Sequence, residues 1–392
     1  MSAAGSGPAA PPGKRRLLIA GRNRYRFPLT PSLQRKFDAL DRVFELCVLA
    51  SGLDPGVTEH GYFRVVPPQR PRLLDGALFY LLLPLRSARL IREFRPDAIH
   101  TQSAYEAGAV LLGRRLAGRS ADRPWPRVVV DVHGDWRTLS RMYGSPLRAL
   151  IRPLTDGWAA AAIRRADGVR TVSGYGSRLV RELGREPAGE FPAFMDLGPF
   201  VETPLVPLPA EPAVLFVGVL EIYKNVDGLA DAWRLAAPQL PGATLHLVGD
   251  GTRRDIVEAL LADPAAGRQA RWTPKLAPEG VVAAMDQSSF LVLPSRSEGM
   301  GRVIVESLAR GRPVLGARVG GIPELVGDGV NGLLVEPGDT DALAAALVRL
   351  CTDRELLERL SAAARDSAGP WLATADEYAA RMGNLVERVL AQ

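Results

Sequence analysis

Cysteine is almost missing from this chain of 392 residues: Cys47 and Cys351 are the only two, and they lie far apart. That excludes a disulfide framework and any metal site built on cysteine, and it fits a reducing, cytoplasmic setting. Lysine is also scarce. Of 49 basic residues only Lys14, Lys36, Lys224 and Lys275 are lysines. The formal net charge is +6, but the basic residues are spread along the chain. This argues against a nucleic-acid surface, and no nucleic acid partner is expected. The longest apolar run, Ala77 to Leu85, contains Pro84 and is too short to cross a bilayer. There is no Gly-x-Ser-x-Gly elbow and no phosphate loop of the Walker type. Asp339-Thr340-Asp341 matches a metal-binding Asp-x-Asp pattern, yet it runs straight into Ala342-Leu343-Ala344-Ala345-Ala346. Helix capping is therefore the reading adopted, and no metal or other cofactor is expected.

What is present is an ordinary soluble composition, with 47% hydrophobic and 23% charged residues, long enough for two full cores. Residues 1–13 are small and rich in proline and glycine, and they read as a disordered tail rather than a signal peptide. Two series of alternating strand and helix signals follow, over residues 14–196 and 213–370. They are joined by a linker at 197–212 that carries Pro199, Pro204, Pro207, Pro209 and Pro212, and residues 371–392 form a closing helix. The pattern predicts an α/β protein with two Rossmann-like domains facing across a cleft.

Glu298 and Glu306 stand out. The apolar strand Phe290-Leu291-Val292-Leu293 leads into a loop carrying Glu298, Gly299, Met300 and Gly301, and a helix from about Arg302 carries Glu306. Ligands of open parallel sheets bind at the carboxyl ends of the strands. The loop glycines admit a ligand to the backbone, and the helix N-terminus suits a phosphate. The structural alternative is a helical pairing of Glu306 with Arg302 or Arg310. Lys224 follows the strand that opens the second series, Phe216-Val217-Gly218, and suits a diphosphate oxygen as a compact positive charge. His133 ends the strand read over Arg127–His133 and can hydrogen-bond a sugar hydroxyl, or simply cap the strand. His100 has a similar position, with structure and function equally open, whereas His60 and His246 read as structural or solvent-facing.

Taken together these motifs resemble retaining nucleotide-sugar glycosyltransferases of family 4, which have the GT-B fold. The resemblance is carried by Phe216-Val217-Gly218 with Lys224, by Leu247-Val248-Gly249-Asp250-Gly251, and by Pro294-Ser295 through Glu298-Gly299 to Glu306. Gly311-Arg312-Pro313-Val314, Gly320-Gly321-Ile322-Pro323-Glu324 and Asn331-Gly332-Leu333-Leu334-Val335 complete it. The first series matches more loosely, through Asp97-Ala98-Ile99-His100, His133 and Ala166-Asp167-Gly168-Val169.

The resemblance implies roles for the residues. Glu306 would hold the ribose hydroxyls and Lys224 the diphosphate, beside Gly218. Glu298, Gly299, Met300 and Gly301 would lie against the donor sugar and its phosphates. Lys275 and Leu276 would lie near the base, and His133 near the reacting carbon. The closing helix would cross back onto the first domain. The donor would be a UDP- or GDP-sugar and the acceptor a hydroxyl compound, in glycan, glycolipid or glycosylated-metabolite biosynthesis, with no metal. A non-catalytic nucleotide-sugar binding protein, a sugar-nucleotide epimerase or a phosphorylase on the same architecture are the alternatives. Two departures are visible. Val219 stands where the family carries an arginine, and Arg302 is the candidate replacement. Gly21-Arg22-Asn23-Arg24-Tyr25-Arg26, read as the first loop, lacks the paired glycines of the family. Finally, Leu73–Arg95 reads as a helix whose leucines either pack in the core or, where exposed beside Arg86, Arg89, Arg92 and Arg95, favour an anionic membrane face.

Overall fold

The computed structural model describes residues 13–54, 56–68, 72–119, 124–138, 142 and 146–392. Apart from Gly13, the expected tail lies outside the described residues. The first sheet holds β1 (Arg15–Tyr25), β2 (Phe44–Gly52), β3 (Glu59–His60), β4 (Phe63–Val66), β5 (Ala98–Thr101), β6 (Arg127–Val132), β7 (Gly168–Thr171) and β8 (Gly189–Glu190). Their order is β3-β4-β2-β1-β5-β6-β7-β8. The second sheet holds β9 (Ala213–Val217), β10 (Thr244–Val248), β11 (Ala270–Thr273), β12 (Phe290–Leu293), β13 (Val314–Ala317) and β14 (Gly332–Val335), in the order β11-β10-β9-β12-β13-β14.

The strands that read as unbroken apolar runs are those buried on both faces, such as β12, where all four residues are 0% exposed. Pairing in the second sheet is parallel throughout. Each sheet also reverses its winding next to its first strand. The chain adds β10 and β11 on one side of β9 and then returns to place β12 on the other. It likewise adds β2 and β4 on one side of β1 before β5 on the other. Beyond the carboxyl ends of such a strand pair the flanking loops diverge and leave a crevice.

Several elements differ from expectation. β1 runs to Tyr25, so the segment read as a first loop continues the strand, pairing Arg24 with Ser51 and Tyr25 with Gly52 after a register shift. The short strands β3, β8, β11 and β14 carry too few residues to show a period. Asp339 caps its helix as expected, its Oδ1 accepting from the Ala342 amide at 2.9 Å.

By contacts the chain divides into two compact units. One comprises residues 1–130, 166–168 and 375–392, the other residues 131–165 and 169–374. The division passes through β6 and β7 rather than through the proline-rich stretch. In the first unit the helix Ala375–Leu390 packs on the helix Pro31–Val43. In the second, the proline-rich stretch is held in place by two buried arginines. Arg310 donates to the carbonyls of Phe200, Thr203 and Pro204 while pairing with Asp286 at 2.8 Å. Arg312 donates to those of Val206 and Pro207. Prolines bring carbonyls but no N–H donors, so these acceptors need donors from elsewhere. Arg310→Met strips Asp286 of its partner and leaves those carbonyls unpaired. It should lower stability by about 3–5 kcal/mol, read as the shift in urea midpoint at constant m. A shift within error of zero would show that the buried clamp does not hold the segment.

Candidate active site

The crevice of the second sheet is built from the loops that follow β9 and β12. After β9 the chain makes a 3-10 turn, Ile222–Lys224, and Asn225 adopts a left-handed φ of 56° before the helix Val226–Ala236. After β12 come Pro294 and Ser295, then Glu298. Arg296 ties the two loops together: its amide donates to the Tyr223 carbonyl at 2.7 Å, and its guanidinium takes both carboxylate oxygens of Asp227, at 3.1 and 2.7 Å. This brace places Lys224 Nζ 2.5 Å from Glu298 Oε2, with both side chains largely buried. The Ser295 hydroxyl donates to the same oxygen at 3.4 Å. Gly218 adjoins the lysine stem, since an added Cβ would stand 3.7 Å from Lys224 Cε.

Gly301, at a φ of 89°, starts the helix Arg302–Ala309, whose first turn receives no side-chain cap. Its amides thus present a positive end to a ligand. Met300 is buried beside it. Glu306 is 7% exposed and pairs with Arg302 Nε at 2.6 Å. Burial pushes the Glu306 carboxyl upward, and the Arg302 charge acts against that shift. The helical pairing weighed from the sequence is thus present, and Arg302 is engaged by Glu306. Val219 is exposed, as a departure from the family's arginine.

Backbone contacts fix the loop from the other side. Gly320, at a φ of 60°, lies so close that an added Cβ would sit 1.8 Å from the Glu298 carbonyl oxygen. The Gly321 amide donates to that carbonyl at 3.1 Å. Gly299 abuts the His133 carbonyl, where an added Cβ would meet oxygen at 1.7 Å, and the Ser173 hydroxyl donates to the Gly299 carbonyl at 2.8 Å. Glu324 accepts from the Gly174 amide at 2.8 Å. His133, half-exposed, therefore stands in the same site as Glu298 and Gly299. Its Nε2 is 3.4 Å from Asp131 Oδ2, and the buried Arg170 holds that oxygen at 2.5 Å.

The Asp131–Arg170 pair was not anticipated. Its signal was available: a carboxylate two residues before a histidine on a strand shares that histidine's face, and an acid inside an apolar strand needs a partner. Lys275 is exposed after β11, and Leu276 packs on Gly280. Neither touches the Lys224–Glu298 pair by any recorded contact. His100 is buried in β5 between β1 and β6, a place in the core. His246 is also buried, bonded to Thr273 Oγ1 at 2.9 Å, and burial, helped by Arg271, holds its ring down at about 4.

Crevices at the switch points of two Rossmann-like sheets, one lined by a lysine, paired glutamates and an uncapped helix, define a protein of the GT-B class. Two family models match the chain: Glycosyl transferases group 1 over residues 206–367 and Glycosyltransferase Family 4 over residues 32–189. The chain belongs to the family 4-like glycosyltransferases of GT-B fold. It is 32% identical over 161 residues to a sulfoquinovosyl transferase from Arabidopsis thaliana, covering 40% of this chain and 30% of that protein. It is 35% identical over 177 residues to a D-inositol 3-phosphate glycosyltransferase from Nocardia farcinica, covering 43% and 39%. The chain thus spans well under half the length of these two relatives. A sucrose-phosphate synthase from Thermosynechococcus elongatus superposes with a TM-score of 0.73 at 20% identity, covering 96% of this chain and 100% of that one. An Anabaena protein solved with UDP-glucose gives 0.67 at 18% identity, covering 94% and 98%. At such identities these structures establish the fold.

Gly320→Ala tests the close approach. It meets the cost of a left-handed conformation, about 1–2 kcal/mol, and also the clash with the Glu298 carbonyl. Gly338→Ala is the control, because Gly338 also has positive φ, 85°, but no atom within 4 Å of the added Cβ. Thermal unfolding should show a larger loss for Gly320→Ala. Equal losses would contradict the contact.

Proposed function

We propose that the protein transfers a sugar from a UDP- or GDP-sugar to a hydroxyl acceptor with retention of anomeric configuration. The observation that carries this reading is the Lys224–Glu298 pair beside the uncapped helix at Gly301. The names of the relatives and the nucleotide-sugar bound by the Anabaena neighbour support it. In this reading Glu306, a buried carboxylate beside Arg302, accepts hydrogen bonds from the two ribose hydroxyls. Glu298 accepts from donor-sugar hydroxyls, which leaves the Lys224 ammonium to the diphosphate. The loop amides from Gly299 to Gly301 bind sugar and phosphate, while Lys275 and Leu276 lie near the base.

Bond breaking concentrates negative charge on the departing diphosphate. Lys224 and the helix amides are preorganised to stabilise it, each such contact contributing roughly 2–4 kcal/mol. With these groups neutralising the charge, transfer proceeds without a metal. The departing phosphate oxygen takes the acceptor proton, and His133, oriented by Asp131, contacts the donor sugar near the reacting carbon. Lys224→Ala and Glu306→Ala should each cut turnover by roughly 100-fold or more while the chain still folds cooperatively, with a lowered unfolding midpoint for Lys224→Ala because Glu298 loses its cation. A chelator should leave the parent rate unchanged. Near-parental turnover in both variants would overturn the site assignment, and a reversible loss in chelator would overturn metal independence.

The reading extends to a cytoplasmic location at the inner face of the membrane. Among the described residues, no helix is long and apolar enough to cross a membrane. In the helix Arg72–Phe94, Phe79 and Leu83 enter the core, but Leu81 and Leu85 are 72% and 60% exposed. Leu112 and Leu116 are exposed on the neighbouring helix Ala104–Ala117, and Arg89 and Arg115 are exposed on the two helices. Apolar groups beside cations suit an anionic bilayer surface. The full chain should co-sediment with phosphatidylglycerol vesicles more than with phosphatidylcholine vesicles at low salt, less so at 0.5 M salt. Equal sedimentation with both would leave the leucines without a membrane role.

A further inference from the structure

Arg302 and Glu306 face each other across one turn of the helix Arg302–Ala309, and they differ sharply in burial. The Glu306 side chain is 10% exposed, that of Arg302 53%. A pair so open on one side adds little to stability. Its effect falls on the buried partner instead. Burial pushes the Glu306 carboxyl upward, and the Arg302 charge pulls it back toward the ionised form. The contact runs from Arg302 Nε to Glu306 Oε1 at 2.6 Å. No hydrogen bond from the described residues reaches Oε2. One carboxylate oxygen is thus held and the other is open.

The surroundings leave this task to Arg302. β12 and β13, on which the helix packs, carry no titratable side chain. On the turn Ile322–Leu325, Glu324 accepts from the Gly174 amide. Glu202, at the end of the short helix Gly198–Glu202, is exposed. So are the charged residues of the packed helix Arg354–Ala368, namely Arg354, Glu355, Glu358, Arg359, Arg365 and Asp366. One turn on, Arg310 is taken by Asp286, and across the site Lys224 is taken by Glu298. Among the described residues, Arg302 supplies the charge that acts on the Glu306 carboxyl.

Arg302 was the candidate from the sequence for a substitute cation on the diphosphate. Its engagement with Glu306 points elsewhere. We infer that Arg302 is a positioning residue that acts through Glu306, holding it as a fixed acceptor for the two vicinal hydroxyls of the donor's ribose, so that the site selects ribonucleotides over deoxynucleotides. This role rests on the ribose contact proposed for Glu306 above. The two oxygens of a carboxylate span a vicinal diol, and each accepts more strongly when charged. A proton on the carboxyl turns one of them into a donor, and the diol loses an acceptor.

The test titrates the full chain calorimetrically with UDP and GDP and with their 2′,3′-dideoxy counterparts, along a pH series from 8 down to 5. At pH 8 the parent should prefer the better-bound ribonucleotide over its dideoxy form by about 100-fold, because each of two charge-assisted bonds contributes about tenfold. The preference declines as the carboxyl takes up a proton. In Arg302→Met the decline should come at higher pH, opening a gap of about tenfold between the two curves where they differ most. Arg302→Lys restores a charge at the same helical spacing and should bring the curve back toward that of the parent. Thermal unfolding is followed in parallel, since a purely structural role would lower the midpoint without displacing the curve. Coincident curves for the parent and Arg302→Met overturn the inference and leave the ribose contact of Glu306 standing. A loss of affinity in Arg302→Met that is equal for ribose and dideoxy forms at every pH also overturns it, and assigns Arg302 to the diphosphate. A parent that binds UDP or GDP with no ribose preference overturns the ribose contact itself, and the inference with it.

Discussion

The carbonyls of Glu298 and Gly299 are enclosed at distances that only hydrogen side chains permit, and the site depends on that enclosure. Gly320 and Gly321 close on them from one loop, the His133 carbonyl and Gly134 press on the Gly299 Cα from another, and Ser173 adds a hydroxyl to the Gly299 carbonyl. A loop of this length would ordinarily sample many conformations. Here its two central peptide groups have their orientation fixed by backbone contact, so the Glu298 side chain and the Gly301 helix start inherit a fixed origin. Preorganisation of this kind is what makes a few charges effective, since the protein does not reorganise when charge develops. The glycines of the Gly320-Gly321-Ile322-Pro323-Glu324 motif thus act through volume. Its glutamate acts at a distance, holding the Gly174 amide beside the Ser173 that anchors Gly299.

Charge balance is the second constraint. Lys224 with Glu298 and Arg302 with Glu306 make two neutral pairs, each largely buried at its acidic member. Isolated charges at such burial would be expensive, and pairing removes most of that cost. Because the pairs are neutral, the proposed reading has a consequence: a diphosphate would meet no net attraction from them until its sugar and ribose hydroxyls engaged the two glutamates, so that binding of the hydroxyls and exposure of the cations would be one event. Val219 is exposed, so its side chain takes no part in this balance, and in the proposed reading the phosphate charge would fall on Lys224 and the helix amides.

Much of this was legible in the sequence, for identifiable reasons. β9 and β12 are buried on both faces and announce themselves as apolar runs, so the residues just beyond them, Lys224 and Glu298, could be placed at strand ends. Asp339 was separable from a metal motif because the alanines after it begin a helix. What escaped reading depended on partners distant in sequence. Asp131 supports His133 only because Arg170 arrives on the next strand of the sheet. The proline-rich stretch at 199–212 looked like a free linker because its carbonyls are satisfied by Arg310 and Arg312, a hundred residues later. β11 and β14 are four residues each, too short to display a period.

The mistaken reading of residues 21–26 as a loop is the most instructive, because correcting it changes the chemistry. In a loop three arginines have no fixed relation and are easily taken as part of the general arginine excess. On β1, Arg22 and Arg24 instead converge on Asp75 within hydrogen-bonding distance, while Arg26 lies just beyond the strand's end. The arginine bias of the chain therefore has two kinds of member. Arg310, Arg312 and Arg170 are buried and hold backbone carbonyls in place. Arg22 and Arg24 are less buried and bind a side-chain carboxylate instead, both reaching Asp75 Oδ2. In charge the two places are alike: Lys224 and Arg302 are matched by Glu298 and Glu306, and Arg22 and Arg24 by Asp75 and Glu106. They differ in burial, because Arg24 keeps a half-exposed side chain whereas Lys224 is largely enclosed.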